Sequence, residues 1–139
     1  MQRLHPLHAV LLASTVPLFL GVLLTDIVYF RTYEVQWKNF ASWLLVGALA
    51  FAAAALMWAL VELIGASRRG TRSSRWAYRP GLYFVLLLVV WILGFINALV
   101  HAGDAWASMP TALILSSVLM LLAIAVTWSG FARSWRDEP

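Results

Sequence analysis

Long uncharged stretches alternate with short polar breaks along the chain. Leu4 to Thr25, Asn39 to Val61, Pro80 to Val100 and Ala105 to Ala132 contain no Asp, Glu, Lys or Arg. Each is long enough to cross a hydrocarbon core of about 30 Å, for which ~20 helical residues suffice. The pattern predicts an all-α, integral membrane four-helix bundle forming one domain over residues 1–139. Helices are expected over about 5–30, 39–66, 80–102 and 108–132, with a basic connection at 67–79. Pro110 suits the first turn of the fourth helix, and Pro17 is a candidate kink in the first. The first span reads as a retained helix. Its apolar run is too long for a signal peptide, and no A-x-A cleavage pattern follows it.

Composition sharpens this picture. Hydrophobic residues make up 63% of the 139, and charged residues 12%, where soluble domains carry about 25%. Trp37, Trp43, Trp76, Trp106, Trp128 and Trp135 lie near block ends, as in interfacial aromatic belts. The chain has no cysteine. That excludes disulfides, iron–sulfur ligation and haem attachment through CxxCH. A formal charge of +4 is no nucleic-acid signal, because it gathers in one connection.

That connection, "GASRRGTRSSRWAYRP", holds Arg68, Arg69, Arg72, Arg75 and Arg79 and no acid. The positive-inside rule makes it cytoplasmic, with contact to anionic lipid as a second role. Arg3, Arg133 and Arg136 then also lie inside, and the expected topology is N-in/C-in. Ala48, Ala52, Ala55 and Ala59 recur at helical spacing, the pattern of a face that packs closely on another helix.

Polar residues inside spans are costly, so their positions inform. His5, His8 and Glu62 fall at the inner end; Asp26, Asn97, His101 and Asp104 fall at the outer end. Eighteen residues separate His8 from Asp26, about 27 Å of helix at ~1.5 Å per residue. His5 and His8 therefore cannot meet His101 within one subunit. For His5 and His8 the alternatives are a helix start and a metal or haem ligand. His101 is either a histidine bonded to Asp104 or a carbonyl, or a ligand oriented by Asp104. Asp26 marks the end of a span, relays a proton or bonds a quinone. Asn97 reads as contact between helices, Glu62 as a solvated terminus, and Met57 and Met120 as packing. No nucleophile–base pair, phosphate loop or zinc spacing occurs, which argues against a hydrolase or kinase.

"HPLHAVLL", "LLTDIVYF", "QWKNFASWLLVGAL" and "GFINALVHAGDAWASMPTALILSSV" together resemble the bacterial membrane proteins grouped as domain of unknown function 2231. The most specific parts are His5, Pro6 and His8, then Ile96, Asn97, His101, Asp104 and Trp106. The resemblance implies a protein of the bacterial inner membrane engaged in electron transfer, with haem b and a quinone. A periplasmic dehydrogenase or cytochrome c would be its partner, and a homo-oligomer is compatible with four helices. On that reading His8, with His5 as its stand-in, and His101 are the candidate haem-iron ligands. Asn97 completes the cofactor set, and Asp26, Asp104 and Trp106 support it. Many relatives carry a histidine near the start of the third helix, where this chain has Pro80, Gly81 and Leu82. Two rival readings stand beside it: a non-redox anchor or assembly subunit, and a metal-binding or permeation protein using His5, His8 and Glu62.

Overall fold

The computed structural model describes residues 5–68, 80–103 and 107–135. They form four helices: α1 (Pro6–Thr32), α2 (Val35–Arg68), α3 (Pro80–Ala102) and α4 (Thr111–Trp135). All four are long and apolar enough to cross a membrane. Helices α1, α2 and α4 run past the ends expected from charge alone. At ~1.5 Å per residue the 34 residues of α2 span ~51 Å, well beyond a core of ~30 Å. Residues 35–38 add a turn because a helix continues into the headgroup region wherever its backbone bonds can still be made. The start of α4 is later than expected: Pro110 precedes the helix, behind a cis peptide bond from Met109. Pro17 lies inside α1, which continues through it.

The helices pack in a ring in which α1 touches α2 and α4, and α3 touches α2 and α4. That leaves α1 and α3 on one diagonal, running parallel, and α2 and α4 on the other. The buried positions show how the ring is held. On α1 they are His8, Leu12, Thr15, Phe19, Val22, Asp26 and Tyr29. On α2 they are Lys38, Ala41, Leu45, Ala48, Ala52, Ala55 and Ala59. Steps of three and four alternate without a break, and α3 and α4 repeat the pattern. A hydrophobic repeat averaging 3.5 residues supercoils helices to the left with interlocking side chains.

The two halves of the chain share one register. His8 faces Tyr83 and Asp26 faces His101, both 75 residues apart, and Leu12 with Leu87 and Thr15 with Val90 keep that offset. From Ala41 to Ala112 and from Ala59 to Gly130, the buried positions of α2 and α4 differ by a constant 71. The hairpins α1–α2 and α3–α4 are thus related by a pseudo-two-fold axis along the bundle. His8 meets Tyr83 and Asp26 meets His101 across that axis.

Size alternates across it. Phe19 shares its level with Gly94, where an added Cβ would come 3.8 Å from the Phe19 ring. The alanine face of α2 is buried throughout, as its spacing suggests. In lipid no hydrophobic force draws helices together, so close backbone approach over small residues carries the packing. The hydroxyls of Ser14, Thr15, Thr25, Ser42, Ser117 and Ser129 bond carbonyls three or four residues back in their own helices, and so bury no unpaired donor. Exposed apolar residues such as Trp43, Val46, Leu121 and Trp128 cover the outside.

Replacing Ala52→Leu should cost about 1–3 kcal/mol by overpacking, read as a lowered unfolding midpoint in detergent. The outward Val46→Leu should leave that midpoint unchanged.

Candidate functional site

Two buried polar clusters lie at opposite ends of the apolar core. At the end away from the 69–79 connection, Asp26 is fully buried on α1. It stands six residues before the C-terminus of α1, well inside the bundle, so it does not merely mark the end of a span. Its Oδ1 lies 2.9 Å from His101 Nε2 on α3. The other ring nitrogen, His101 Nδ1, is 2.9 Å from the Asn97 carbonyl oxygen. Ser116 Oγ on α4 donates to Asp26 Oδ2 at 2.5 Å and accepts from Asn97 Nδ2 at 2.9 Å. The bonds close a circuit: Asn97 amide to Ser116, Ser116 to Asp26, Asp26 to His101, and His101 back to the Asn97 main chain.

Donor and acceptor rules fix most of the protons. A carbonyl only accepts, so His101 Nδ1 carries a hydrogen. Ser116 gives its single hydrogen to Asp26, so the Asn97 amide nitrogen must face Ser116. One proton is then shared between His101 Nε2 and Asp26 Oδ1, as imidazolium with carboxylate or as imidazole with carboxylic acid. Either form is neutral overall. Without that proton two lone pairs would face each other beside an uncompensated buried charge. Asn97 Oδ1 is buried and has no hydrogen-bond partner among the described residues.

Around this circuit the flanking α2 and α4 positions, Ala41 and Ala112, are small and fully buried. Lys38 comes in from the first turns of α2, only 8% exposed. Its Nζ donates to the Gly103 carbonyl at 2.6 Å and satisfies an orphan acceptor at the C-terminus of α3. Ser, His and Asp are the residue types of a hydrolytic triad, but the order is wrong. Aspartate stands between serine and histidine, so no imidazole is placed to take the serine proton.

At the arginine end, His8 is fully buried and its Nε2 is 2.9 Å from the Tyr83 hydroxyl. His5 is exposed. It caps α1, with Nδ1 accepting from the Leu7 amide at 3.3 Å, which matches its reading as a helix start. Trp58 lies beside both histidines, with ring centroids 4.8 Å from His5 and 6.0 Å from His8. It donates to Glu62 at 3.0 Å. Glu62 is therefore a half-buried acceptor rather than a solvated terminus. Met57 is 60% exposed on the outside of the bundle and does not pack in the core, whereas Met120 packs against it.

His8 and His101 belong to different ends of the bundle, as the helix rise from His8 to Asp26 requires. The carboxylate partner of His101 is Asp26, from another helix. Asp104 and Trp106 lie outside the described residues, as do Arg69, Arg72, Arg75 and Arg79; Arg68 ends α2. Asn97 does join helices, through Ser116. Ser116, Tyr83 and Trp58 are site residues that sequence reasoning missed. The heptad phase was the available signal for the first two, since both lie on the buried seam.

As arranged, a haem iron at His101 Nε2 would displace Asp26, and one at His8 Nε2 would displace the Tyr83 hydroxyl. Both ring nitrogens of His101 and Nε2 of His8 hold hydrogen bonds. Between the two ends Phe19, Leu45, Leu87 and Leu119 fill the core. Among the described residues no group of three or more His, Asp or Glu side chains is placed to hold a metal ion.

Residues 4–138 match the family described as predicted membrane protein (DUF2231). The chain belongs to this family. Neither the comparison with curated proteins nor that with solved structures found a match.

The circuit predicts strong coupling. Asp26→Asn and His101→Gln should each destabilise by about 1–3 kcal/mol, since each strands buried polar groups. The double variant should fall well short of the sum, as the second change removes a partner already lost. Thermal unfolding of all four proteins in one detergent measures the cycle.

Proposed function

We propose that this chain is a membrane subunit that holds a proton at its Asp26–His101 centre and exchanges it for a redox partner in the same membrane. The observation that carries this reading is the closed circuit, in which one proton is shared by a fully buried carboxylate and imidazole. Ionisable groups this deep in a membrane bundle are expensive unless used, and apolar packing would join the helices at lower cost. The family resemblance suggests the use. Reduction of a quinone takes up one proton for each electron, and this centre is placed near one membrane face to supply it.

The basic connection argues for N-in/C-in topology in the bacterial inner membrane. The Asp26–His101 centre then faces the periplasmic half of the bilayer, where a dehydrogenase or cytochrome c would deliver or collect electrons. In this reading the electron carriers bind beside the bundle, because haem b ligation at His101 Nε2 would first require its hydrogen bond to Asp26 to break. An optical spectrum should accordingly show no Soret change between the wild-type protein and His101→Ala after expression with ample haem. A Soret band lost in the variant would restore the ligand reading.

A second reading, an anchor or assembly subunit, is favoured by the buried alanine face of α2. On that reading the circuit only joins helices. Infrared difference spectroscopy separates the two. Protein labelled with 13C-aspartate is placed in nanodiscs containing a benzoquinone, which is then reduced chemically. The proton reading expects a carboxyl signal that changes with quinone reduction and is absent in Asp26→Asn. An unchanged signal leaves the circuit as a structural joint.

A further inference from the structure

The cluster at the arginine end takes no part in the proton reading, yet it is as deliberately built. Tyr83 is 6% exposed and His8 is fully buried, so the phenol and imidazole meet away from water. Room for the phenol head comes from α4. An added Cβ at Gly130 would stand 3.3 Å from the Tyr83 hydroxyl and 2.6 Å from a Leu12 methyl. A phenylalanine would fill this level without a polar atom to satisfy.

Three aromatic rings lead outward from that phenol. Tyr83 and His8 have centroids 6.0 Å apart, edge to face. His8 and Trp58 stack at 6.0 Å with planes 26° apart. Trp58 and the exposed His5 follow at 4.8 Å. Glu62, which accepts the Trp58 indole N–H at 3.0 Å, is the only carboxylate at this end among the described residues. Its negative charge favours positive charge arising on the neighbouring rings.

Oxidising a buried phenol is governed by its proton. Loss of one electron makes the hydroxyl so strongly acidic that its proton does not stay on the oxygen. The electron therefore leaves only where a base takes the proton in the same step. His8 Nε2, 2.9 Å away, is such a base.

We propose that Tyr83 and His8 form a redox-active pair, with Trp58 as the electron's route to the surface at His5. A one-electron oxidant at that surface is reduced by one electron. The Tyr83 O–H bond breaks, an N–H bond forms on His8 Nε2, and a neutral tyrosyl radical remains beside an imidazolium. Return of the electron reverses both proton and electron. The pair lies at the opposite end from Asp26–His101 and stands or falls independently of that centre.

The experiment uses the purified full chain in micelles with a flash-generated trivalent ruthenium tris-bipyridine complex as oxidant. The expected result is a tyrosyl radical, seen by electron paramagnetic resonance, that is lost in Tyr83→Phe. In His8→Gln, which keeps a hydrogen-bonding side chain but removes the base, its formation should slow on the order of a hundredfold, the lower range of what a positioned base contributes. Because changes at His8 can unsettle α1, the wild-type protein labelled with 15N-histidine supplies a second measurement. Its radical should show coupling to a histidine nitrogen and to one exchangeable deuteron. A radical that persists in Tyr83→Phe, an unslowed rate in His8→Gln, or a radical without nitrogen coupling overturns the proposal.

Discussion

The structure depends on how a bundle in lipid keeps its register. Apolar helices slide against one another at little cost where the solvent is as apolar as they are. Here two diagonal contacts remove that freedom. His8 with Tyr83 and Asp26 with His101 tie α1 to α3 near both ends of the core, 18 residues apart on each helix. A slip of one residue on either helix would strand two polar pairs in an environment with no water to satisfy them. Small residues on α2 and α4 let those diagonals close. The alanine face and Gly130 therefore belong to the same device as the polar pairs.

That device also separates the chemistry of the two ends. Between them lie levels of Leu, Phe, Val and Ala, interrupted by Thr15, whose hydroxyl is turned back onto the Leu12 carbonyl. No hydrogen-bonded path crosses this region among the described residues. The Asp26–His101 centre and the phenol–imidazole pair therefore belong to separate ends of the bundle. A role that needs both would have to pass through a redox partner rather than along the bundle.

Much of this was legible in the sequence, for reasons that differ from residue to residue. Uncharged blocks marked four spans because charge is the one thing a span cannot carry cheaply. Counting turns placed His8 and His101 at different ends because helix rise is fixed. The partner of His101 was not legible in the same way. Asp104, three residues on, is visible in the sequence as a neighbour, whereas Asp26 becomes one only when α1 and α3 face each other. Ser116 and Ser117 are indistinguishable as letters. The seam that passes through Ala112 and Leu119 takes Ser116 into the circuit and leaves Ser117 bonded to its own helix at Leu113. The alanine stripe was readable as a packing face, but not the rings it makes room for.

The pseudo-two-fold axis bears on how the chain assembles. A bundle made of two copies of one hairpin would set identical groups face to face on that axis. Two carboxylates would repel, and so would two imidazolium rings. With Asp26 on one hairpin and His101 on the other, each half is complementary to its sister and mismatched with a copy of itself. The same acid–base pair thus acts as a rule of pairing: it favours a first hairpin closing on a second hairpin over two like hairpins closing on each other.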